Sequence, residues 1–333
     1  MTPAPSVRPA RSPAVAALGE CMIEVALEPP RHHSALSASG ATVGTGGALE
    51  GVGARVGFGG DTLNTAVYLA RSAAGSVWVT YVTALGEDPF SDEMVRDWEA
   101  LGLDTSRVLR IPGRLPGLYV ITTDAGGERA FHYWRREAAV RRLASVSGSA
   151  GLRQRLAGVD LVYLSGITLA ILTPRDRETL LQLLVELRAE GVRLGFDTNY
   201  RPALWRRPGE ARRVFNEVGS RSDFVLPSAG DERALFGDRD ARASAERWLE
   251  AGAGEVAVKD GAQPCWFGDE REVTSLPVVN VERVVDTTAA GDAFNGAYLA
   301  ARLTGAPIDT AVRRGHALAR VVVQHRGALV PAG

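Results

Sequence analysis

The chain has 333 residues, of which 45% are hydrophobic, and this is enough apolar material for one large α/β domain or two smaller ones. Its net charge of −1 produces no field that would attract nucleic acid or an anionic membrane. The longest apolar runs fall short of the roughly 20 residues that a membrane-spanning helix needs. Composition therefore favours a globular protein and gives no sign of a nucleic-acid or membrane partner.

The N-terminal segment, the cysteines and the histidines further restrict the class of protein that the sequence can encode. Residues 1–13 are rich in Pro, Ala and Ser without a continuous apolar stretch, which predicts a disordered tail and no signal peptide. Cys21 and Cys265 are far apart and lack C-x-x-C spacing, as expected for reduced thiols in the cytosol. The five histidines form no metal-binding pattern, so a zinc site is not expected.

The first part of the chain combines a strand with a low-complexity segment. Residues 14–25 are apolar and predict a buried strand, whereas residues 28–57 are rich in Gly, Ala and Ser and predict a mobile insertion. The glycines of residues 51–57 resemble a dinucleotide-binding loop only superficially, because no predicted strand precedes them and their spacing is wrong.

The motif G-G-D-T-L-N at residues 59–64 leads into a helix predicted to end near residue 71. Asp61 and Asn64 could simply cap this helix. They could equally bind a polyol, because a carboxylate and an amide together accept from and donate to adjacent hydroxyls. Both interpretations remain open from these residues alone.

A hairpin is predicted beyond a strand at residues 77–83 and a helix at 88–101. Residues 118–123 and 129–135 alternate in polarity around a D-A-G-G-E turn. The aromatic side chains of this hairpin suit a lid over a substrate or a dimer contact, and Arg135 could pair with an anionic substrate group. An exposed hairpin stabilised by cross-strand aromatic pairs is the alternative.

Strands and helices alternate regularly in the second half, which predicts a parallel sheet with helices on both faces. The predicted strands are residues 161–165, 192–197, 223–226 and 255–259, and the predicted helices are residues 174–190, 208–218, 241–251 and 308–324.

Polar clusters follow several of these strands. They are residues 197–201, 228–231 and 259–261, together with an A-A-G-D turn at 289–292. Because ligand sites in open α/β sheets lie beyond the carboxyl ends of the strands, the four clusters are predicted to converge on one site.

Lys259 is the only lysine among 38 basic residues; the other 37 are arginine. It follows the apolar run V-A-V at the end of a predicted strand. The position suggests a site that needs a compact ammonium group, although chance survival of one lysine is the alternative.

The A-A-G-D turn is the most informative stretch. The β-branched run at 278–285 predicts a strand before it, and helical spacing of apolar residues follows it. Small residues at Ala289, Ala290 and Gly291 allow a phosphate to approach the free amides of a helix start. Beside that anion, Asp292 makes sense as the acceptor of a proton from an attacking hydroxyl, which suggests a kinase acting on an alcohol. An aspartate that caps a helix is the alternative.

Two signatures resemble a known family. D-T-T-A-A-G-D-A-F-N-G from Asp286 resembles the C-terminal signature of the ribokinase-like, or phosphofructokinase-B-type, sugar kinases. G-G-D-T-L-N-T-A-V-Y-L-A-R from Gly59 resembles their N-terminal signature, and the likeness extends over about residues 15–331. Longer matches resemble the 2-keto-3-deoxygluconate kinases of that family; they include G-E-C-M-I-E, R-L-P-G-L-Y, Y-L-S-G-I-T-L-A-I-L and N-Y-R-P-A-L-W.

The resemblance implies a three-layer α/β/α sandwich in a single kinase domain over residues 14–333, with a small β-sheet lid formed from segments around 22–58 and 115–136. It implies MgATP as donor and phosphorylation of the C6 hydroxyl of 2-dehydro-3-deoxy-D-gluconate. Asp292 would be the base, and the amides of Ala289, Ala290 and Gly291 would form the anion hole. The residues implied to bind the acid sugar are Gly60, Asp61, Asn64, Tyr119, Trp134, Arg135 and Arg201. Those implied to bind ATP are Ser228, Lys259, Gly261 and His316.

A role of Arg135 and Arg201 in binding an acid sugar has a physical rationale, since a guanidinium binds a carboxylate through two parallel hydrogen bonds. A neutral ketose would leave both cations without a partner.

The chain departs from the family pattern at three places. Ala289 replaces a usual glycine, Ser228 and Asp231 stand where many relatives have N-x-x-E near magnesium-bound water, and residues 28–57 exceed the expected loop. By position, Asp231 would approach the metal through a water. The chain contains no G-x-x-x-x-G-K motif, so a P-loop mechanism is excluded and a helix N-terminus must supply the phosphate site.

Several alternatives stay open. The substrate could be fructose or 2-dehydro-3-deoxy-galactonate, or the chain could be a non-catalytic sugar-binding regulator, although a pure binder would not need Asp292. A potassium ion near Asp286 and residues 325–328 could assist catalysis. We expect acid sugar and ATP as ligands, no nucleic-acid or membrane partner, a homo-oligomer through the β lid and a cytoplasmic location.

Overall fold

A computed structural model describes residues 12–27, 53–123 and 129–331. No helix within these ranges is both long and apolar enough to cross a membrane. The predicted tail at residues 1–13 falls almost entirely outside the described residues, as does most of the predicted insertion at 28–57 and the turn of the predicted hairpin.

The described residues form three sheets and helices of varied length. In chain order, the strands are β1 (Ala14–Leu18), β2 (Met22–Leu27), β3 (Ala54–Gly59), β4 (Trp78–Val82), β5 (Ala84–Leu85), β6 (Leu109–Arg110), β7 (Gly117–Thr123), β8 (Arg129–Trp134), β9 (Leu161–Ser165), β10 (Arg193–Asp197), β11 (Phe224–Val225), β12 (Glu255–Val258), β13 (Cys265–Asp269) and β14 (Val273–Leu276). The helices are α1 (Asp61–Ala73), α2 (Pro89–Ala100), α3 (Leu143–Leu156), α4 (Gly166–Ile171), α5 (Pro174–Ala189), α6 (Pro208–Gly219), α7 (Ala229–Phe236), α8 (Ala241–Glu250), α9 (Ala290–Leu303) and α10 (Ile308–Val322).

The main sheet has eight strands in the order β14-β13-β12-β11-β10-β9-β1-β4. Strands β4, β1, β9, β10, β11 and β12 are parallel, and β13 and β14 are antiparallel additions at one edge. The carboxyl ends of the parallel strands therefore share one edge, where the polar clusters were predicted to lie.

Helices cover both faces of this sheet. Side chains of one strand alternate between two cores: Val162 and Leu164 of β9 join the core under α3, α5 and α6, whereas Leu161 and Tyr163 join the core under α1, α9 and α10. The predicted three-layer α/β/α fold is the observed one.

The smaller sheet has four strands in the order β3-β2-β7-β8. Its two halves come from the segments predicted to form the lid, and β7 and β8 are the arms of the predicted hairpin, paired antiparallel. Residues 54–57 belong to β3, so the glycine-rich stretch rejected above as a dinucleotide loop leads into a strand of this sheet.

Two predicted strands differ from the structure. The strand predicted at residues 14–25 is divided, because β1 belongs to the main sheet and β2 to the smaller one. The strand predicted at 278–285 does not form: Val279 and Val284 are 64% and 57% exposed, and the Val285 amide donates to the carbonyl of Val323 instead of to a strand. A β-branched run forms a strand only where a sheet edge is available to pair with it.

The α1 and α9 helices pack closely, and a glycine makes their contact possible. A Cβ added at Gly296 of α9 would lie 2.7 Å from the amide nitrogen of Leu69 and 2.8 Å from the carbonyl oxygen of Thr65, both main-chain atoms of α1. Since a helix backbone cannot move aside alone, this glycine sets the distance between the two helices.

We predict that Gly296→Ala lowers the free energy of unfolding by about 1–3 kcal/mol, because the added methyl group separates α1 from α9. Gly209→Ala is the matched control, since Gly209 is exposed in α6 and has no atom within 4 Å of an added Cβ; we expect a change below about 1 kcal/mol. Urea unfolding of both variants measures the difference, and equal stability would contradict the proposed close contact.

Candidate active site

The start of α9 lies at the carboxyl edge of the main sheet. Ala289 precedes the helix with φ 59° and ψ 11°, a left-handed conformation that is rare for residues other than glycine. The predicted turn is thus formed although the family's glycine is absent. Within the described part of the chain, the amides of Gly291 and Asp292 have no main-chain acceptor. Two donors at a helix start therefore remain available to an anion.

Asp292 is not the N-cap residue of α9, because it lies in the first turn of the helix and Ala289 holds the N-cap position. Its Oδ2 atom instead accepts a 2.8 Å hydrogen bond from the side-chain amide of Asn64. Burial raises the pKa of Asp292 to about 7, and the negative charges of Asp61 and Asp197 add to the rise, while the Asn64 hydrogen bond and Lys259 oppose it. Such a carboxyl group can accept a proton near neutral pH.

Asp61 links α1 to the loop after β10. The side-chain amide of Asn199 donates to Asp61 Oδ2 over 2.7 Å, and Asn199 has a positive φ of 32°. Burial raises the pKa of Asp61, although hydrogen bonds from Ser165 and Asn199 oppose this rise. From the first turn of α1, Asp61 thus reaches the loop after β10 and Asn64 reaches the start of α9. The sugar-binding role of both residues stays a prediction.

Lys259 connects three elements at the same edge. Its Nζ atom donates to the carbonyl of Leu226 and to Asn295 Oδ1, both at 2.7 Å, and lies 3.4 Å from Asp197 Oδ2. The amide of Asn295 donates to Asp197 Oδ2 over 2.7 Å. Residues after β10, β11 and β12 therefore meet the first turns of α9, as the polar clusters predicted.

The cluster at 228–231 joins this group through the loop after β10. Asp231 accepts from the amide of Tyr200 at 3.2 Å and from Arg201 at 3.4 Å, and Ser228 forms a parallel bridge with Lys259. Burial raises the pKa of Asp231, and the Arg201 charge opposes the rise. The structure therefore brings all four predicted polar clusters together.

Two acidic residues that sequence reasoning did not assign hold the smaller sheet: Glu20 ties it to the main body, and Glu24 lies within it. The carboxylate of Glu20, directly after β1, forms a buried ion pair with Arg135. Glu24 of β2 accepts a hydrogen bond from the hydroxyl of Tyr119. Burial raises the pKa of Glu20, and Arg135 opposes the rise. Trp134, in contrast, is 60% exposed.

The remaining predicted residues differ in how closely they approach the site. Gly60 packs so tightly that an added Cβ would lie 2.2 Å from the carbonyl oxygen of Glu20. Gly261 is exposed with φ 59°, and His316 of α10 contacts Phe294 with ring centroids 5.4 Å apart. Their predicted contacts with substrate and ATP stay predictions.

One metal contact was predicted, at Asp231, and a potassium site near Asp286 was left open. Across the described ranges, no group of three or more His, Cys, Asp or Glu side chains could hold a metal ion. A magnesium ion bound mainly by phosphates and water needs no such cage, and the role of Asp231 toward it stays a prediction. Asp286 accepts hydrogen bonds from Thr288 at 2.7 Å and from the Gly327 amide at 3.0 Å, so it ties the turn to residues 325–328.

Three functional candidates were missed: Asn295, Glu20 and Glu24. Asn295 could have been found, because it lies three residues after Asp292 and therefore on the same helix face. Glu20 could have been found only if the strand predicted at 14–25 had been ended at Leu18, which would have placed it at a strand's carboxyl end.

A carboxylate with a pKa near neutrality, beside free amides at a helix start, is suited to phosphoryl transfer onto an alcohol. Residues 12–332 match the sequence profile of the pfkB family carbohydrate kinases, and the chain belongs to this family. It is thus a carbohydrate kinase of the class that its two signatures resemble.

Two relatives in sequence and one solved structure show how similar the chain is to other members of the family. The chain is 44% identical over 321 residues to 2-dehydro-3-deoxygluconokinase of Escherichia coli K12, covering 95% of this chain and 97% of that protein. It is 41% identical over 321 residues to 2-dehydro-3-deoxygluconokinase of Dickeya dadantii, covering 95% and 96%. The crystal structure of the PfkB protein from Polaromonas sp. JS666 superposes with a TM-score of 0.75 at 25% identity, covering 94% of this chain and 96% of that one.

We predict that Ala289→Gly changes the free energy of unfolding by less than about 1 kcal/mol, since relief at positive φ is offset by a more flexible unfolded chain. Ala289→Val should lose about 2 kcal/mol or more, because a β-branched side chain is strained there. Ala290→Val, in the first turn of the helix, is the control and should cost under about 1 kcal/mol. Urea unfolding compares the three, and a stable Ala289→Val variant would refute the left-handed turn.

Proposed function

We propose that this chain is an ATP-dependent kinase that phosphorylates the C6 hydroxyl of 2-dehydro-3-deoxy-D-gluconate, giving 2-dehydro-3-deoxy-6-phospho-D-gluconate. The observation that carries the proposal is the position of Asp292, a carboxylate of raised pKa beside the free amides of α9. Relatives at 44% and 41% identity over nearly the whole chain bear the name of this activity.

The chemistry follows from this geometry. The sugar hydroxyl would lie within hydrogen-bond reach of Asp292, which takes its proton as the oxygen attacks the terminal phosphorus of ATP. The amides of Ala289, Gly291 and Asp292 would stabilise negative charge on the transferring group. The amide of Ala290, also predicted for this role, donates instead to the carbonyl of Thr287 at 3.3 Å. A magnesium ion, when bound, would neutralise phosphate charge, with Asp231 acting on it through water. Ser228, Gly261 and His316 are proposed to border the nucleotide, whereas Lys259, also predicted to bind ATP, has its ammonium group engaged by Leu226, Asn295 and Asp197.

Recognition of an acid sugar is proposed to rest on Arg135 and Arg201. Arg135 already pairs with Glu20, yet its Nε atom is buried without a hydrogen-bond partner among the described residues, so a donor is left for a substrate carboxylate. The side chain of Arg201 is 51% exposed and pairs with Asp231 at 3.4 Å. A guanidinium has five donors and can hold both an internal carboxylate and that of a substrate.

Asp61 and Asn64 are proposed to bind the hydroxyls of the sugar at the other side of the site. Gly60 allows the chain to pass close to Glu20, and Tyr119 and Trp134 would contact the sugar from the lid. The potassium site near Asp286 is likewise a proposal, supported by the contact of Asp286 with the 325–328 loop.

A homo-oligomer through the β lid and a cytosolic location complete the proposal. The lid exposes Tyr133, Trp134, Phe131 and Val56 at 54%, 60%, 43% and 64%, which is apolar surface that a second copy could cover. Sedimentation that shows only monomers at micromolar concentration would refute this contact. Both Cys21 and Cys265 are free and buried, in keeping with a reducing compartment.

An ATP-consumption assay over a panel of acid and neutral sugars tests the function. We expect turnover with 2-dehydro-3-deoxy-D-gluconate and far lower kcat/KM with fructose. Higher kcat/KM for 2-dehydro-3-deoxy-galactonate or fructose would assign the chain to another sugar, and no turnover with any sugar despite sugar binding would favour the non-catalytic regulator.

We predict that Asp292→Asn lowers kcat by roughly 10²- to 10⁴-fold while ATP and sugar binding persist, because only the proton acceptor is lost. Because the base must be ionised, kcat/KM of the unmodified enzyme should fall as the pH drops through about 7, the pKa of Asp292. Asp309→Asn, in the first turn of α10, is the control. Near-normal turnover of Asp292→Asn would remove this residue from the mechanism.

We predict that Arg135→Ala and Arg201→Ala each raise KM for the acid sugar by about 10-fold or more, since a charge-assisted hydrogen bond is worth about 1.5–3 kcal/mol. KM for a neutral ketose should change much less. Arg213→Ala, an exposed arginine of α6, serves as the control. Steady-state kinetics with both sugars measure the effect, and equal increases for both would contradict carboxylate recognition.

A further inference from the structure

The surroundings of Lys259 give a physical reason for the only lysine in the chain. Three acceptors from three elements converge on one nitrogen: the carbonyl of Leu226 and Asn295 Oδ1 at 2.7 Å, and Asp197 Oδ2 at 3.4 Å. The side chain is only 13% exposed. An ammonium group has three donors on one atom, which matches this arrangement, whereas a guanidinium spreads its donors over a larger plane.

The same nitrogen lies behind the anion-binding turn. A Cβ added at Gly291 would be 3.8 Å from Nζ, so the positive charge is close to the amides that face the phosphate. Asn295, which Lys259 holds, is three residues after Asp292 and on the same face of α9. Lys259 therefore fixes the orientation of the helix turn that carries the base.

The charges around Asp292 are unbalanced without this cation. Asp61 of α1 and Asp197 of β10 both act on Asp292 as like charges, and Lys259 opposes them. The other titratable neighbours, Tyr68 of α1 and Tyr163 of β9, are neutral near pH 7, because burial raises the pKa of both hydroxyls.

All three donors of the ammonium have partners inside the protein. An ammonium engaged in this way acts on ATP only through the residues that it holds, and not by direct contact.

Building on the proposed function, we propose that Lys259 is a positioning residue for phosphoryl transfer: it holds Asn295 and the first turn of α9, and it places a positive charge behind the turn that carries Asp292. Asp197 stays in place without Lys259, because the amide of Asn295 and the main-chain amide of Asn199 also donate to it. Removing the lysine thus leaves the negative charge of Asp197 near Asp292 and takes away the positive charge that opposes it.

The test compares Lys259→Met, which keeps the length, with Lys259→Arg, which keeps the charge. For Lys259→Met we expect the acid limb of the kcat profile to move upward by about 1 pH unit. Starting from a pKa of about 7, reduced ionisation alone then lowers kcat at pH 7 about 5-fold. Most of the lost kcat should be recovered at pH 9, where the carboxyl group is again ionised. Lys259→Arg should have a lower kcat than the unmodified enzyme, because a guanidinium keeps the charge but does not match the three converging acceptors. An unmoved acid limb with a raised KM for ATP would instead establish direct contact with the nucleotide and overturn the proposal.

Two further variants separate this role from a failure to fold. The double variant Lys259→Met with Asp197→Asn also removes the like charge of Asp197 near Asp292. The acid limb of its kcat profile should therefore move back toward the pH of the unmodified enzyme. Lys259→Ala should regain part of its kcat when methylammonium is added, whereas a purely structural defect would not respond. Failure of both restorations would overturn the proposal.

A measurement independent of turnover keeps the inference distinct from the proposed function. The ¹³C NMR titration of the Asp292 carboxyl, assigned by its loss in Asp292→Asn, should move to higher pH in Lys259→Met whether or not the chain phosphorylates the expected sugar. If the titration does not move, the inference on Lys259 is wrong even where the kinase activity is established.

Discussion

The start of α9 must be held at the carboxyl edge of the sheet, and a buried polar network does this. Lys259 and Asn295 bind each other and Asp197, and Asn199 carries the contacts onward to Asp61 of α1. Buried polar groups are costly unless each is paired, so a displaced helix would strand several of them at once. The network therefore confers positional specificity more than stability, and the active-site geometry depends on that specificity.

The same network creates the chemistry by keeping like charges close. Asp292 is a useful base at neutral pH because burial and the neighbouring Asp61 and Asp197 raise its pKa to about 7. A carboxyl group in water would be a far weaker base. The structure thus concentrates acidic residues where negative phosphates must also bind, and the helix amides and the ammonium group of Lys259 supply opposing charge.

Much of this could be predicted from the sequence because the relevant signals are local. Alternating strand and helix patterns identified the parallel sheet, and the polar residues after its strands identified the site edge. The predictions that failed were those that depend on tertiary structure. The valines at 278–285 have strand propensity but no sheet edge to pair with, and Glu20 was hidden because one apolar run serves two sheets. Pairing partners such as Glu20 for Arg135 and Asn295 for Lys259 depend on elements more than 30 residues apart in the chain, which no local pattern encodes.

The division of that first run explains how the smaller sheet is coupled to the main one. Because the chain passes directly from β1 into β2, Glu20 lies at the junction, and its carboxylate holds Arg135 at the far end of the hairpin. A buried ion pair stabilises little by itself, since desolvation offsets most of the attraction. Its unpartnered atoms, Oε1 of Glu20 and Nε of Arg135 among the described residues, indicate an incomplete set of contacts. A bound acid sugar would complete the set if its carboxylate accepted from Nε of Arg135 and one of its hydroxyls donated to Oε1 of Glu20. Such binding would favour the position of the smaller sheet seen here, so that recognition of the acid group and ordering of this sheet would be one event.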